Sequence, residues 1–419
     1  MKRYIYITVA LAMAFTSCTK SNIVDLPENL DTPIKFDVYN ARTPLTKASE
    51  INSANVRVDG IHVTAFTHSE RTETTEVDGQ DVTTTTNTTV YATDHPYLDV
   101  DVLDANGNAA NTNASWQSYK NGSLIKGYWP ATGSLDFVAW GLNANKTVTE
   151  ARENPEVAAQ YNLVEFDGTY KFTKFTYKVP LLVENQQDLV VSDLVPDYSY
   201  TSTNQGKISF QLEHILTRIG FKLQTLFTLS EGSSTPDVDV TISKIILHGT
   251  FVNEGTVDLT GNAAIVPSED EDNVTTQYSL FSANQSFVTQ ASSSIVQIYG
   301  NTSTTSPFEP DPEGCYMMIM PGTVKALEGV KDTFDVDKDG VTDEDTPPYI
   351  EIEYQLEGTT SPTIARMALE SNGANYNFAA GNAYEFIFQV SVDAIVFEGV
   401  VENWNELKNY DLNNNIPLP

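Results

Sequence analysis

The segment Ile208-Ser209-Phe210-Gln211-Leu212 alternates apolar and polar residues without a break. In an extended chain that period of two sends Ile208, Phe210 and Leu212 to one face and predicts a strand with one buried side. The signature recurs upstream in Ile34-Lys35-Phe36-Asp37-Val38 and in Val56 to Val58 with Ile61-His62-Val63-Thr64-Ala65-Phe66, and downstream in Ile350-Glu351-Ile352-Glu353-Tyr354. Turn signals separate such segments at Asp59-Gly60, Asn121-Gly122, Asn253-Glu254-Gly255, Gly261-Asn262 and Gly381-Asn382. Short strands at this spacing suit β-sandwiches better than alternating βαβ units. Charged residues make up only 19% of the chain, and the recurring Thr, Ser, Tyr, Phe and Val favour pleated, half-buried segments. The fold class is therefore all-β, with Glu150 to Gln160 the one short helix candidate.

The 419 residues exceed what one hydrophobic core organises, since single cores stop growing near ~250–300 residues. Two domains are expected, dividing in the polar stretch Asp197 to Gly206. Thr72 to Thr89 has almost no large apolar residue and reads as an exposed hairpin extension.

At the N-terminus, Lys2 and Arg3 precede an apolar stretch from Tyr4 to Phe15, too short to span a bilayer permanently and typical of an export signal. Phe15-Thr16-Ser17-Cys18 resembles the lipobox that bacterial lipoprotein signal peptidase reads, with Phe15 in place of the commoner Leu. The resemblance implies that Cys18 carries lipid and holds the mature chain to a membrane surface; a free cysteine beside a generic cleavage site is the other reading. Cys315, in the apolar run Cys315 to Met320, is expected to be a small buried hydrophobe.

Fifty-six acids against 24 basic residues give a net charge of −32, which repels nucleic acid and anionic headgroups. The five histidines, His62, His68, His95, His214 and His248, form no zinc spacing, and no nucleophile elbow, P-loop or dinucleotide fingerprint is present. A non-enzymatic protein is expected. One constellation carries chemistry: Asp335-Val336-Asp337-Lys338-Asp339-Gly340-Val341-Thr342-Asp343-Glu344-Asp345. Asp335, Asp337, Asp339 and Asp343 fall at positions one, three, five and nine of a calcium-loop pattern, Gly340 at the sharp bend, and the Val341 carbonyl supplies a further oxygen. Thr346 stands where a bidentate Glu is usual, which leaves the shell to Glu344 or Asp345. A structural Ca2+ is the reading; a solvated acidic loop is the alternative.

Several segments together resemble the fimbrillin family of Bacteroidetes, subunits of type V pili and related Mfa-like surface lipoproteins. They are Val58 to Phe66, Gly127-Tyr128-Trp129-Pro130 through Trp140, Asp188 to Ser192, Phe210 to Phe221, and Phe378-Ala379-Ala380-Gly381-Asn382-Ala383-Tyr384-Glu385-Phe386, in this order behind the lipobox-like Cys18. The resemblance implies two tandem transthyretin-like β-sandwich domains after a lipoprotein signal peptide. The division is 1–17 signal peptide, 18–33 lipid-anchored linker, 34–205 and 206–405 as the two domains, and 406–419 as a tail. It implies location at the outer membrane and cell surface, other fimbrial subunits as partners, adhesion to a host or bacterial surface, and cleavage by a trypsin-like protease after Arg42 or Lys47. An uncleaved linker there is the alternative. Tyr410, Leu412, Ile416 and Leu418 share one face of an extended tail, as a donor strand requires, although Pro417 and Pro419 cannot donate to a ladder; a disordered tail is the alternative. A monomeric adhesin or glycan-binding lipoprotein on the same scaffold is the competing function. Trp129 is expected to plug the end of a sandwich, and His214 to be a satisfied core or edge histidine.

Substituting Cys18→Ala is expected to abolish membrane association. Metabolic labelling with a fatty-acid analogue checks it, and normal incorporation into the Ala variant would refute lipidation at this residue.

Overall fold

The structure is a computed structural model, and the residues described are 28–40, 60–77, 80–92, 95–105, 115–142, 164–181, 183, 186–225, 239–262, 264–280, 287–290, 296–298, 316–336, 340, 343–371, 374–390 and 395–403. Among them every regular element is a strand. The helix candidate Glu150 to Gln160 and Cys315 lie outside the described residues.

The chain begins with β1 (Glu28–Pro33), β2 (Lys35–Asn40), β3 (Ile61–Thr67), β4 (Glu70–Val77) and β5 (Gln80–Asn87). It continues through β6 (Leu98–Asp104), β7 (Trp116–Lys120), β8 (Ser123–Ile125), β9 (Tyr128–Pro130) and β10 (Leu135–Leu142). Next come β11 (Val164–Phe166), β12 (Lys174–Lys178), β13 (Leu189–Val191), β14 (Val195–Tyr198) and β15 (Lys207–His214). One sheet gathers most of these in the order β2-β15-β13-β10-β3-β6-β7-β8, with β14 also on β10. Its pairings are antiparallel except that of β2 with β15, which is parallel. The sheet curls until β2 lies against β7. Its concave face encloses a core of Ile34, Phe36, Val38, Val63, Val100, Trp129, Phe137, Ile208, Phe210 and Leu212.

The second half comprises β16 (Thr217–Thr225), β17 (Asp239–Val252), β18 (Glu254–Asp258), β19 (Ala264–Pro267), β20 (Val274–Ser279), β21 (Phe287–Gln290) and β22 (Val296–Gln297). Then follow β23 (Tyr316–Ile319), β24 (Gly322–Thr323), β25 (Tyr349–Leu356), β26 (Thr363–Ala368), β27 (Glu370–Ser371), β28 (Ala374–Asn375), β29 (Asn377–Phe378), β30 (Asn382–Val390) and β31 (Ile395–Asn403). Two sheets, β22-β16-β30-β31 with β23 on β16 and β20-β17-β25-β26 with β21 on β17, share a core that includes Ile219, Phe221, Phe388, Ile242, Leu247 and Ile352. The protein is all-β and built of packed sheets, as the period-two segments require.

Local signals hold where turn chemistry is decisive. Asn121 and Gly122, at φ 49° and 72°, close the tight hairpin that pairs Lys120 with Ser123, the conformation an Asn-Gly pair adopts readily. The Thr-rich stretch forms the exposed β4–β5 hairpin.

Three features differ from the division read in the sequence. Glu28–Pro33, placed in a linker, forms β1 and pairs with β9. Lys207–His214, placed in the second domain, belongs to the first sheet, because Ile208, Phe210 and Leu212 fill the first core; the sheets change at Ile215-Leu216. β11 and β12 pair with β18 and β19 in one four-stranded sheet, so strands from both sides of the 205/206 division share a ladder.

At Gly206 a side chain has no room. Its φ is 76°, and a Cβ there would lie 2.8 Å from the Pro33 carbonyl oxygen and 2.9 Å from the Trp129 indole nitrogen. Gly206→Ala is expected to destabilise the fold by about 2–4 kcal/mol, the left-handed penalty plus a backbone clash. Gly122→Ala, equally left-handed at φ 72° but with nothing within 4 Å, should cost only about 1–2 kcal/mol. Urea unfolding of the two variants checks the difference; equal losses would show that crowding at Gly206 is irrelevant.

Candidate functional site

Strand β2 and the Ile34 that precedes it have a seat built for them. Ile34, Phe36 and Val38 are all buried in the first core, whereas Lys35 is exposed. Phe36 stacks on Phe210 of β15, ring centroids 6.3 Å apart and planes 19° apart. The register pairs Phe36 with Ile208 and Val38 with Phe210, so period-two patterns from two distant segments interleave. At the entry, Ile34 N–H donates to the Gly127 carbonyl at 2.9 Å and Lys35 N–H to the Gly206 carbonyl at 2.8 Å. The Trp129 indole N–H donates to that Gly206 oxygen at 3.1 Å, and its ring packs on Phe137 and Tyr198. Trp129 thus closes the end of the barrel-like sheet beside Pro130. Lys207 Nζ meets Asp37 at 2.6 Å, half exposed, a contact that contributes little.

Within the described residues β2 has one ladder partner and occupies the end of the sheet order. Burying Phe36 and Val38, with Ile34 just before the strand, contributes about 1.5–3 kcal/mol each, gross. An edge strand carrying that much apolar surface is separable in principle, and its removal would leave a groove lined by Ile208, Phe210 and Leu212 with an unpaired β15 edge.

Of the residues singled out in the sequence, Cys18, Arg42, Lys47, Tyr410, Leu412, Ile416 and Leu418 lie outside the described residues, as do Asp337, Asp339 and Val341. Asp335 and Asp343 are described. Asp335 sits at φ 49° and its Oδ1 accepts from the Gly340 N–H at 3.1 Å, while Gly340 bends at φ 81°. The Asp343 carbonyl accepts from Asp332 N–H at 3.0 Å. The buried Asp332 carboxylate in turn accepts from the N–H groups of Phe334 and Val336 at 2.9 and 2.8 Å. Asp335 and Gly340 are thereby tied together at a bend that Gly340 makes. Among the described residues no group of three His, Cys, Asp or Glu side chains is arranged to hold a metal ion.

Three buried polar clusters were missed or only half seen. Asp136, fully buried, is a hub: its carboxylate accepts from His68 Nδ1 at 2.5 Å, Tyr91 Oη at 2.8 Å, Asn87 Nδ2 at 3.1 Å and Asp197 N–H at 2.8 Å. Burial pushes the Asp136 carboxyl up, but these donors outweigh it and hold it below the usual range. Burial pushes the His68 imidazole down, and the facing Asp136, with Glu70 and Asp197 beyond, reverses this to a net rise. A lone acid inside the apolar run Leu135 to Trp140 was the available signal, because a buried carboxylate has to find donors. His62 lies between Asp99 at 2.9 Å and Asp101 at 3.0 Å, with all three buried. His214 is a buried core histidine, its Nδ1 2.9 Å from the buried Asp188.

Scanned against protein-family profiles the sequence matches none, and no curated protein matches it. Solved structures resemble it along nearly its whole length. A fimbrial protein from Bacteroides vulgatus shares 14% identity over 89% of this chain and 99% of that one, at a TM-score of 0.46. A cell-adhesion candidate from Bacteroides uniformis shares 13% identity, covering 90% and 99% of the two chains, at a TM-score of 0.41. The tip fimbrial protein Mfa3 from Porphyromonas gingivalis, with a C-terminal truncation, shares 10% identity over 86% and 97%, at a TM-score of 0.33.

Proposed function

We propose that this chain is a subunit of a cell-surface fimbria, exported as a lipoprotein anchored at the outer membrane through Cys18 and assembled by strand exchange to support adhesion. The observation that carries the reading is the seat of β2, an edge strand whose Phe36 and Val38, with Ile34 just before them, complete the first core while among the described residues β15 is its one ladder partner. Cleavage after Arg42 or Lys47 frees this strand. The groove then takes a tail of matching period, with Tyr410, Leu412, Ile416 and Leu418 of a neighbouring copy as the apolar set. Gross burial of three or four such side chains at ~1.5–3 kcal/mol each offsets much of the entropy of ordering a short tail. The partners are other fimbrial subunits, and the chain performs no catalysis in this role.

The acid-rich turn is proposed to hold a structural Ca2+. Asp335, Asp337, Asp339 and Asp343, with the Val341 carbonyl, form the oxygen set, and the sharp bend at Gly340 suits alternate residues converging on a hard cation.

Deleting residues 408–419 is expected to leave a folded, exported monomer that cannot polymerise, seen as loss of the ladder when unboiled surface fractions are electrophoresed. Polymers of normal length from the truncated chain would overturn strand donation. N-terminal sequencing of sheared surface protein should read from Thr43 or Ala48, and a uniform start at Cys18 would exclude cleavage and favour a monomeric adhesin. For the turn, calorimetric titration should show Ca2+ uptake that Asp337→Ala and Asp339→Ala abolish, with a rise in Tm by mass action; no heat at millimolar Ca2+ would leave a solvated loop.

A further inference from the structure

Strands β4 and β5 form a sheet of their own, pairing from Glu70↔Asn87 to Val77↔Gln80 without a register shift. No other strand among the described residues joins it. The side chains of residues 70–75 and 80–87 are exposed, and threonines face each other across the ladder, Thr72 Oγ1 to Thr85 Oγ1 at 3.3 Å and Thr74 Oγ1 to Thr83 Oγ1 at 3.2 Å. A two-stranded ribbon alone in water is marginal. This one is held at its root: Asn87 and His68 are tied to the buried Asp136, Thr88 N–H donates to the Ser69 carbonyl at 2.8 Å, and Ser69 N–H donates to Thr89 Oγ1 at 3.1 Å.

The ribbon lacks most devices that protect an edge from pairing. Residues 70–87 contain no lysine and no proline, and the ladder has no bulge, so two long, regular, β-branched edges face solvent with their outward N–H and C=O groups unused by the sheet. What remains is charge. Five acids, Glu70, Glu73, Glu76, Asp78 and Asp81, stand against Arg71, and Arg71 is itself engaged by Glu73 at 2.5 Å. Three of those acids lie on β4, and the whole chain carries −32. Such an edge repels a second copy of itself and attracts a strand of opposite sign. A glycan is disfavoured as occupant, because the ribbon offers no aromatic ring on which a sugar could stack.

We propose that the outer edge of β4 is a docking site for an extended, cationic polypeptide, added as a third strand through main-chain hydrogen bonds and selected by the acidic charge of β4, Glu70 and Glu73 foremost. This interaction is independent of strand exchange at β2 and needs neither cleavage nor polymer. The rigid root supplies what an added strand requires, a template already ordered before the partner arrives.

The test uses the full chain and a labelled peptide of alternating lysine and threonine, followed by fluorescence anisotropy. Saturable binding is expected, weakened at least about tenfold when alternate peptide nitrogens are methylated, since methylation removes the ladder donors and keeps the charge. Glu73→Lys with Glu76→Lys, which leaves the Asp136 root intact, should shift preference to a glutamate–threonine peptide. Equal binding of the methylated peptide, or unchanged preference in the charge-reversed chain, would overturn the proposal. So would a dimer in sedimentation velocity, without peptide, that Glu73→Lys with Glu76→Lys alters, because the edge would then belong to a second copy.

Discussion

The burial of β10 on both faces is the constraint on which the rest of the molecule depends. Leu135, Phe137 and Ala139 point into the core under the curled sheet, while Val138, Trp140 and Leu142 point into the larger core that runs through the second half. Trp140 stacks near Phe175 of β12, ring centroids 4.6 Å apart, and β12 is laddered to β18. One strand therefore joins two cores. A strand covered on both sides cannot tolerate an unsatisfied polar group, which is why Asp136, the single acid in that run, collects four donors. The same donors fix the root of the β4–β5 hairpin, so an exposed ribbon is tied to a fully buried carboxylate.

The junction between halves is tied by polar contacts as well as by packing. Gln186 spans it, donating from Nε2 to the Pro180 carbonyl at 2.8 Å and accepting from the Met318 N–H at 2.6 Å, and it is itself buried. His214, the last residue of β15, contacts Asp188 two residues before the sheets change. A buried amide and a buried pair of this kind add orientation to the apolar contact, because each has few geometries that satisfy it. The first sheet is consequently held against the second half, while among the described residues its far end, β2, has a ladder partner only in β15. The sheet is thus tied by packing and polar contacts at one end and by a single ladder at the other.

Much of this was legible locally. Period-two alternation placed β2, β3, β15 and β25, the Asn121-Gly122 pair gave the β7–β8 hairpin, the threonine tract gave the exposed ribbon, and the proline after Trp129 marked a strand end. These features were readable because each depends on a residue's own backbone preference or on which face its neighbours share. The acid-rich turn was equally visible as a pattern, and its bend at Gly340 follows from the same local chemistry.

Strand identity, which side of each strand is apolar, and where the chain turns are written into the residues themselves. Partners are settled by folding alone: that β2 runs parallel to β15, that β15 completes the first core and not the second, that β12 ladders to β18, and that Asp136, His68, Asn87, Tyr91 and Asp197 meet. The physical reason is that alternation specifies a face but not a neighbour. Loop-closure entropy rises only slowly with chain length, so a distant strand competes almost equally with a near one. The choice falls to shape, as when Phe36 fits over Phe210 and Gly206 leaves room for Trp129, and that fit exists only once the chain has folded.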